Sequence, residues 1–341
     1  MTDFAWNSGL RGGDTVYLDG TFDEWIYIDL SLSYGSANSF LRFTSLSAST
    51  PAVINTPNSN HGIALMAYSN NQAGGTFIQI DNLIIVGSGS TSNNGINIYT
   101  QSSIGLDTFY IYNNDISGFN QGIRAARQST AIPLITNLWP YSNKLHNNID
   151  AGLAAVGIAN SYIYYCESYS NGAQGFYISD STNVYFGYDN SSNNHAAGYT
   201  VDAGSSFIYF LNSASSNNFL LAYQIIAYTL NTVRDHGAVD SITVSSCVSY
   251  GDGNGYKYAL NNIWTDGIQS ATNILFSNFQ ATVTGTGVAY TQWGEGNAFV
   301  GFWLAGSYTM TTTNAVVTFP TATSNCNLSC NSANSPACLC V

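Results

Sequence analysis

Three stretches of this chain align without gaps at a spacing of 23 residues: "SYIYYCESYSN" (161–171), "VYFGYDNSSNN" (184–194) and "FIYFLNSASSN" (207–217). Each ends on asparagine, at Asn171, Asn194 and Asn217, and Asn148 lies one period further back. After each asparagine comes a short turn and an apolar strand: "GFYIS" from Gly175, "GYTVD" from Gly198, "LAYQI" from Leu221. Earlier copies begin at Gly95, Gly122 and Gly152, with longer spacings of 27 and 30. Short alternating strands and Asn/Gly/Ser turns at a period in the low twenties mark a parallel β-helix. One coil is too small to bury its own apolar face; stacked coils, about 4.8 Å apart, share a continuous core. Asparagines in phase suit a ladder in which side-chain amides bond from coil to coil at a tight turn. A sandwich or propeller would not require that phase. The expected fold is therefore all-β, a single-stranded parallel β-helix, with the right hand of parallel crossovers.

The ends read as caps. Residues 1–300 form the helix with its N-terminal cap. From 301 to 341 the period fades into Thr-rich and then Cys-rich sequence, read as a C-terminal cap and tail. Four of the six cysteines (Cys326, Cys330, Cys338 and Cys340) crowd that tail. They read as two disulfides in an oxidising compartment, with a zinc site as the weaker alternative. Cys166 and Cys247 are expected to be packing residues rather than nucleophiles.

Composition narrows the partners. Lys and Arg total 7 against 19 Asp and Glu, a net charge of −12, and only 8% of residues are charged. No basic stripe exists to meet nucleic acid. Anionic membranes would repel the chain, and its longest apolar run, "FLLAYQIIAY" (219–228), is too short to span a bilayer. Such composition suits an extracellular, cell-surface or virion protein. The N-terminus lacks the basic start and apolar core of a secretion signal. Self-association as a homo-oligomer stays open.

Strand alternation then assigns faces. Phe176, Ile178, Tyr199, Val201 and Ala222 point inward. The outward column reads Asn97, Arg124, Ala154, Tyr177, Thr200, Tyr223, Lys257, the last because "CVSYGDGNGYK" (247–257) matches "CESYSNGAQGFY" (166–177). Tyr177 and Tyr223 suit a platform for sugar rings, apolar on the face and wet at the hydroxyl. Arg124 and Arg127 would add contacts to acidic sugars. The excess length before Lys257 falls in the loop "NTVRDHGAVD" (231–240), which carries Arg234, Asp235 and His236, so the scarce basic groups would gather at one place.

The phrases "GLRGGDTVYLDGTF" (9–22) and "ITVSSCVSYGDGNGYKYAL" (242–260) resemble segments of the pectin-lyase-like superfamily, and the latter is similar to the G-N-G-F-K region of family-nine pectate lyases. That resemblance implies a polysaccharide lyase in which Lys257 takes the proton α to a uronate carboxyl, aided by Arg234 and His236. A neighbouring Arg234 would lower the Lys257 pKa by like-charge repulsion. It also implies calcium, which neutralises the uronate. The family's S-D-D-G-W-D calcium phrase is absent; Asp202, Asp235 and Asp252 are the acids that would have to replace it. The alternative is a non-catalytic glycan-binding or adhesive protein, or a structural virion spike, fibre or surface appendage.

Overall fold

A computed structural model describes residues 10–30, 39–57, 60–68, 76–103, 105–229 and 236–252, and beyond these a set of strands between 261 and 317. The chain divides into two compact units, Met1–Gly172 and Ala173–Val341. Lys257, Arg234, Asp235 and the four tail cysteines lie outside the described residues, and of His236 only the backbone is described.

In the first unit each complete coil contributes one strand to each of three parallel sheets. The first sheet runs Thr15–Leu18, Leu41–Ser45, Ile78–Asp81, Asp107–Tyr112, Ile135–Tyr141, Ile158–Tyr164. The second runs Thr21–Phe22, Ala52–Asn55, Leu83–Val86, Asp115–Ser117, Lys144–His146, Glu167–Tyr169. The third runs Ile26–Asp29, Ile63–Ala67, Asn94–Thr100, Gln121–Arg127, Leu153–Val156. The second unit repeats the plan. Its third-sheet strands are Phe176–Ser179, Ala197–Val201, Leu221–Thr229, Asn261–Thr265 and Thr291–Trp293. Strands Phe302–Ala305 and Thr309–Thr313 pair in parallel with Ile274–Ser277 and Gln280–Thr284. The architecture is a parallel β-helix, as the repeat requires.

Sharp corners make three flat sheets from one coil. Between the first and second sheets a single residue adopts positive φ: Asn113 (54°), Ser142 (53°) and Tyr165 (56°) in successive coils. A further such residue, Asn147 or Ser170, follows the second sheet. The residue after it holds the ladder. The Asn148 amide nitrogen donates to Asn171 Oδ1 at 3.0 Å, and the Asn148 backbone N–H donates to the same oxygen at 3.1 Å. In the second unit Asn194 donates in the same way to Asn218, and Asn218 to Asp252. Buried corner groups are thereby satisfied without water.

The ladder residue is Asn218, not Asn217. Ile178 pairs with Val201, a step of 23, but Thr182 pairs with Ser206, a step of 24. One extra residue therefore enters at the turn Asp202–Ser205, and everything after it shifts by one. A one-residue shift in a strand reverses its faces. Tyr223 thus pairs with Tyr199 and is 1% exposed, deep in the core rather than on a sugar platform. Phe176 stacks on Tyr199 (5.1 Å, 6°), and in the same unit Tyr199 stacks on Tyr223 (4.9 Å, 10°). The outward partner of Thr200 is Gln224.

Phe176, Ile178, Tyr199 and Val201 are buried as expected. Ser179, Thr200 and Asp202, which alternate with them along the strands, are buried as well. Cys166 and Cys247 are buried free thiols. Asn143 Nδ2 and the Ser213 N–H point at their sulfurs, so they take ladder positions, and burial raises the Cys247 pKa away from reactivity.

Candidate functional site

The outer face of the third sheet in the first unit carries Arg124 and Asp29 among polar and aromatic side chains. Register places Tyr27, Ala64, Asn97, Arg124 and Ala154 in one column across five coils. The column two residues on reads Asp29, Met66, Tyr99, Ala126, Val156. Small residues make the floor, while Tyr27, Tyr99 and the exposed Tyr68 rise beside it; Tyr68 meets Tyr99 edge-on at 6.4 Å. Burial, with Asp29 adding, holds the Tyr27 phenol above its usual pKa, and burial likewise raises Tyr68, so both keep their proton as donors.

Arg124 sits where alternation put it. Its guanidinium lies 5.3 Å from the Tyr99 ring centroid, a cation–π approach, and its Nη1 donates to Asn97 Oδ1 at 3.2 Å. The Asn94 amide donates to the same oxygen at 3.2 Å. Those two bonds turn the Asn97 nitrogen toward His61, 3.4 Å from Nε2. The His61 Nδ1 accepts the Asn94 backbone N–H at 2.9 Å. A backbone N–H can only donate, so the proton of the neutral imidazole is on Nε2. Burial, followed by the charge of Arg124, pulls the His61 pKa down to about 4. The buried Asn97 amide donates to Met66 Sδ at 3.4 Å and so serves to position Arg124. At neutral pH, then, His61 Nε2–H and the Arg124 guanidinium are the donors of this patch, and an oxygen-rich anion seated there would accept from both.

His61 and Tyr99 are absent from the residues that the sequence singles out. The signal was present: "HGIAL" at Gly62 repeats the "GI" of Gly95 and Gly122, so the glycine-led series extends at least one turn earlier than the sequence series. Register alone could not have shown that His61 meets a side chain 36 positions away.

The other expected site residues fare differently. Arg127 is buried, and its Nη1 donates to the carbonyls of Ile132 (2.6 Å) and Thr130 (3.3 Å), so it ties down a turn rather than meeting sugar. Asp252 ends the amide ladder. It accepts from the Asn218 N–H (2.9 Å), Asn218 Nδ2 (2.8 Å) and Ser249 Oγ (2.6 Å), a structural role rather than a metal ligand. Asp202 accepts from Tyr177 Oη at 2.6 Å and from the Ala203 N–H at 2.7 Å. Both acids are buried in hydrogen bonds, and among the described residues no three His, Cys, Asp or Glu side chains cluster as a metal site. Tyr177 is outward and half-buried, as expected. The backbone opposite Gln224 is Asn262, so the column position assigned to Lys257 belongs to Asn262. The cause is length: Asn218 and Asp252 are 34 apart, but Tyr223 and its partner Asn261 are 38 apart.

No family model and no curated protein matches the chain by sequence. Solved structures do match in fold. The catalytic domain of a GH87 α-1,3-glucanase in complex with nigerose superposes with TM-score 0.58 at 13% identity, over 95% of this chain and 64% of that one. The endo-xylogalacturonan hydrolase from Aspergillus tubingensis gives 0.54 at 14% identity, over 96% and 91%. A tailspike of an Acinetobacter baumannii bacteriophage, a capsular polysaccharide depolymerase, gives 0.50 at 15%, over 89% and 57%. The chain thus spans less than two thirds of the glucanase domain's length. These likenesses establish the fold alone, a right-handed parallel β-helix.

Proposed function

We propose that this protein is directed at polysaccharides and receives an acidic sugar on the outer face of the third sheet. One observation carries the reading: Arg124, positioned by the Asn97 carbonyl oxygen, and the Nε2–H of His61 form a single donor patch beside Tyr27, Tyr68 and Tyr99. A uronate offers what the patch asks for, a carboxylate for the donors and a ring face for the aromatic wall. The fold is one that carries polysaccharide-acting enzymes, which is consistent with a surface or extracellular setting.

Two-carboxylate hydrolysis is the less favoured chemistry on this face. It needs a pair of acids roughly 5 to 9.5 Å apart, and Asp29 is the single carboxylate in the two columns. β-Elimination with Lys257 as base is the finer proposal, with calcium as its candidate partner and Arg234 and His236 as supporting groups. Non-catalytic binding by an adhesive or virion component is the fallback.

The test pairs affinity with chemistry. Wild type and Arg124→Gln are run on polygalacturonate, alginate and a neutral glucan. Loss of the Arg–carboxylate bond should weaken acidic binding about 10- to 100-fold and leave neutral binding unchanged. Equal loss on both glycans, or none, would sink the donor patch. Absorbance of the unsaturated product, with and without calcium and in Lys257→Ala, decides whether elimination follows binding.

A further inference from the structure

We infer that the first sheet of the first unit carries a separate glycan-binding surface, built from a file of rings and indifferent to sugar charge. Register puts Tyr110, Trp139 and Tyr162 in one outward column, with Tyr112, Tyr141 and Tyr164 in the next. None of the six is charged and none is aliphatic. Tyr141 is 48% exposed and the other five are half-buried. The turn residue Tyr165 extends the patch and meets Tyr141 edge-on at 5.3 Å.

Ring tilt separates this file from ordinary surface packing. In the second unit Tyr185 and Tyr209 lie flush at 4.6 Å and 10°, so each ring face covers its neighbour. Here the rings fan open: Tyr110 to Trp139 at 5.7 Å and 46°, Trp139 to Tyr162 at 4.4 Å and 34°. Exposure is highest at Tyr141 and Tyr165, each 48% exposed, and there a ligand can reach a ring. Three strands give a file about 10 Å long, the length of a short oligosaccharide lying along the stacking direction.

The occupant follows from the chemistry. Tyr and Trp also suit the centre of a protein interface, so association of two copies is scored as an outcome of the test. A sugar chain offers C–H faces to rings and hydroxyls to phenols. At the edge of the file Tyr112 Oη accepts from Gln79 Nε2 at 2.6 Å, which fixes that ring in place. Beyond Tyr110 the first column continues into Gln79 and Arg42, the other into Asp81. Arg42 holds Asp81 with two bonds, at 2.8 and 2.7 Å, so that end is internally neutralised and adds no preference for an anionic chain.

The test is native gel electrophoresis through soluble xyloglucan, dextran and polygalacturonate at 0.3 M salt. Wild type should be retarded by a neutral glycan. Trp139→Ala should weaken that retardation at least fivefold, Trp139→Phe should retain most of it, and Arg124→Gln should not change it. Tyr162→Ala gives an independent reading should Trp139→Ala misfold by circular dichroism. Neutral-glycan retardation that survives both alanine variants overturns the proposal. So does a wild type that no neutral glycan retards, or a concentration-dependent self-association that Trp139→Ala abolishes. Because Arg124 and Trp139 are scored separately, failure of the donor patch and failure of this surface are distinguishable.

Discussion

Asp252→Asn should stabilise the protein, and only at high pH. Asp252 occupies a position that asparagine holds in the two preceding coils of its unit. Asn218 Oδ1 accepts the Asn194 N–H (3.0 Å) and Nδ2 (2.9 Å), while Asn218 Nδ2 donates to Ser215 Oγ at 2.9 Å. Asp252 Oδ1 already makes the first two bonds to Asn218; its Oδ2 accepts a hydrogen bond from Ser249 Oγ instead. In the variant Ser249 would turn from donor to acceptor and no bond would be lost. What disappears is a buried charge held by the neutral donors of Asn218 and Ser249. Burial lifts the Asp252 pKa from 3.8 to about 6, against the pull of its hydrogen bonds. A raised carboxylate pKa means that the protonated form is favoured in the fold. Its stabilising contribution is complete below pH 3.8 and is lost as pH rises through 6. The gap of about two pKa units corresponds to about 3 kcal/mol. At pH 8 Asp252→Asn should therefore gain up to about 3 kcal/mol, a Tm rise of roughly 5 °C. At pH 4 the two proteins should be nearly equal. Urea and thermal unfolding at both pH values measure this. A gain of the same size at both pH values, or a loss at pH 8, would refute the buried-charge argument.

Asn218→Ala should destabilise at every pH by about 3 kcal/mol, since it strands the Asn194 donors at a buried corner; urea midpoints test it. Gly175→Ala should cost about 3 kcal/mol or prevent folding. Its Cβ would fall 2.0 Å from Ser191 Oγ and 2.7 Å from the Gly198 carbonyl oxygen. On the proposed carboxylate reading, a bound uronate would raise the His61 pKa from about 4, so binding takes up a proton. Affinity for polygalacturonate should then increase about threefold or more from pH 7 to pH 5, and His61→Gln should flatten the profile in titration calorimetry. The free protein shows the opposite trend at this residue. A depressed histidine pKa withdraws stability as pH falls from 6.5 toward 4, so His61→Gln should lessen acid sensitivity in that window.

The coil was legible because the core repeats it. Inward positions such as Phe176, Ile178, Tyr199 and Val201 must be apolar in every turn, and glycine must recur where Gly175 and Gly198 have no room for a Cβ. Buried Cys166 and Cys247 were recognisable for the same reason. The site was less legible. A turn such as Asp202–Ser205 absorbs one extra residue at little cost, yet that residue decides whether Tyr223 faces sugar or core.

Sequence alone thus determined the fold class, the rise of one coil per repeat and most of the core, because these depend on local alternation and on corners that only a few residue types tolerate. Tertiary structure decided how the rare polar groups are used. Arg127 is turned onto carbonyls, Asp252 onto the ladder, and Arg124 onto Asn97 beside a neutral His61. Those roles depend on which side chains neighbouring coils bring within hydrogen-bond reach and how deeply they are buried. In a β-helix such neighbours are separated in sequence by every residue inserted in the turns between them.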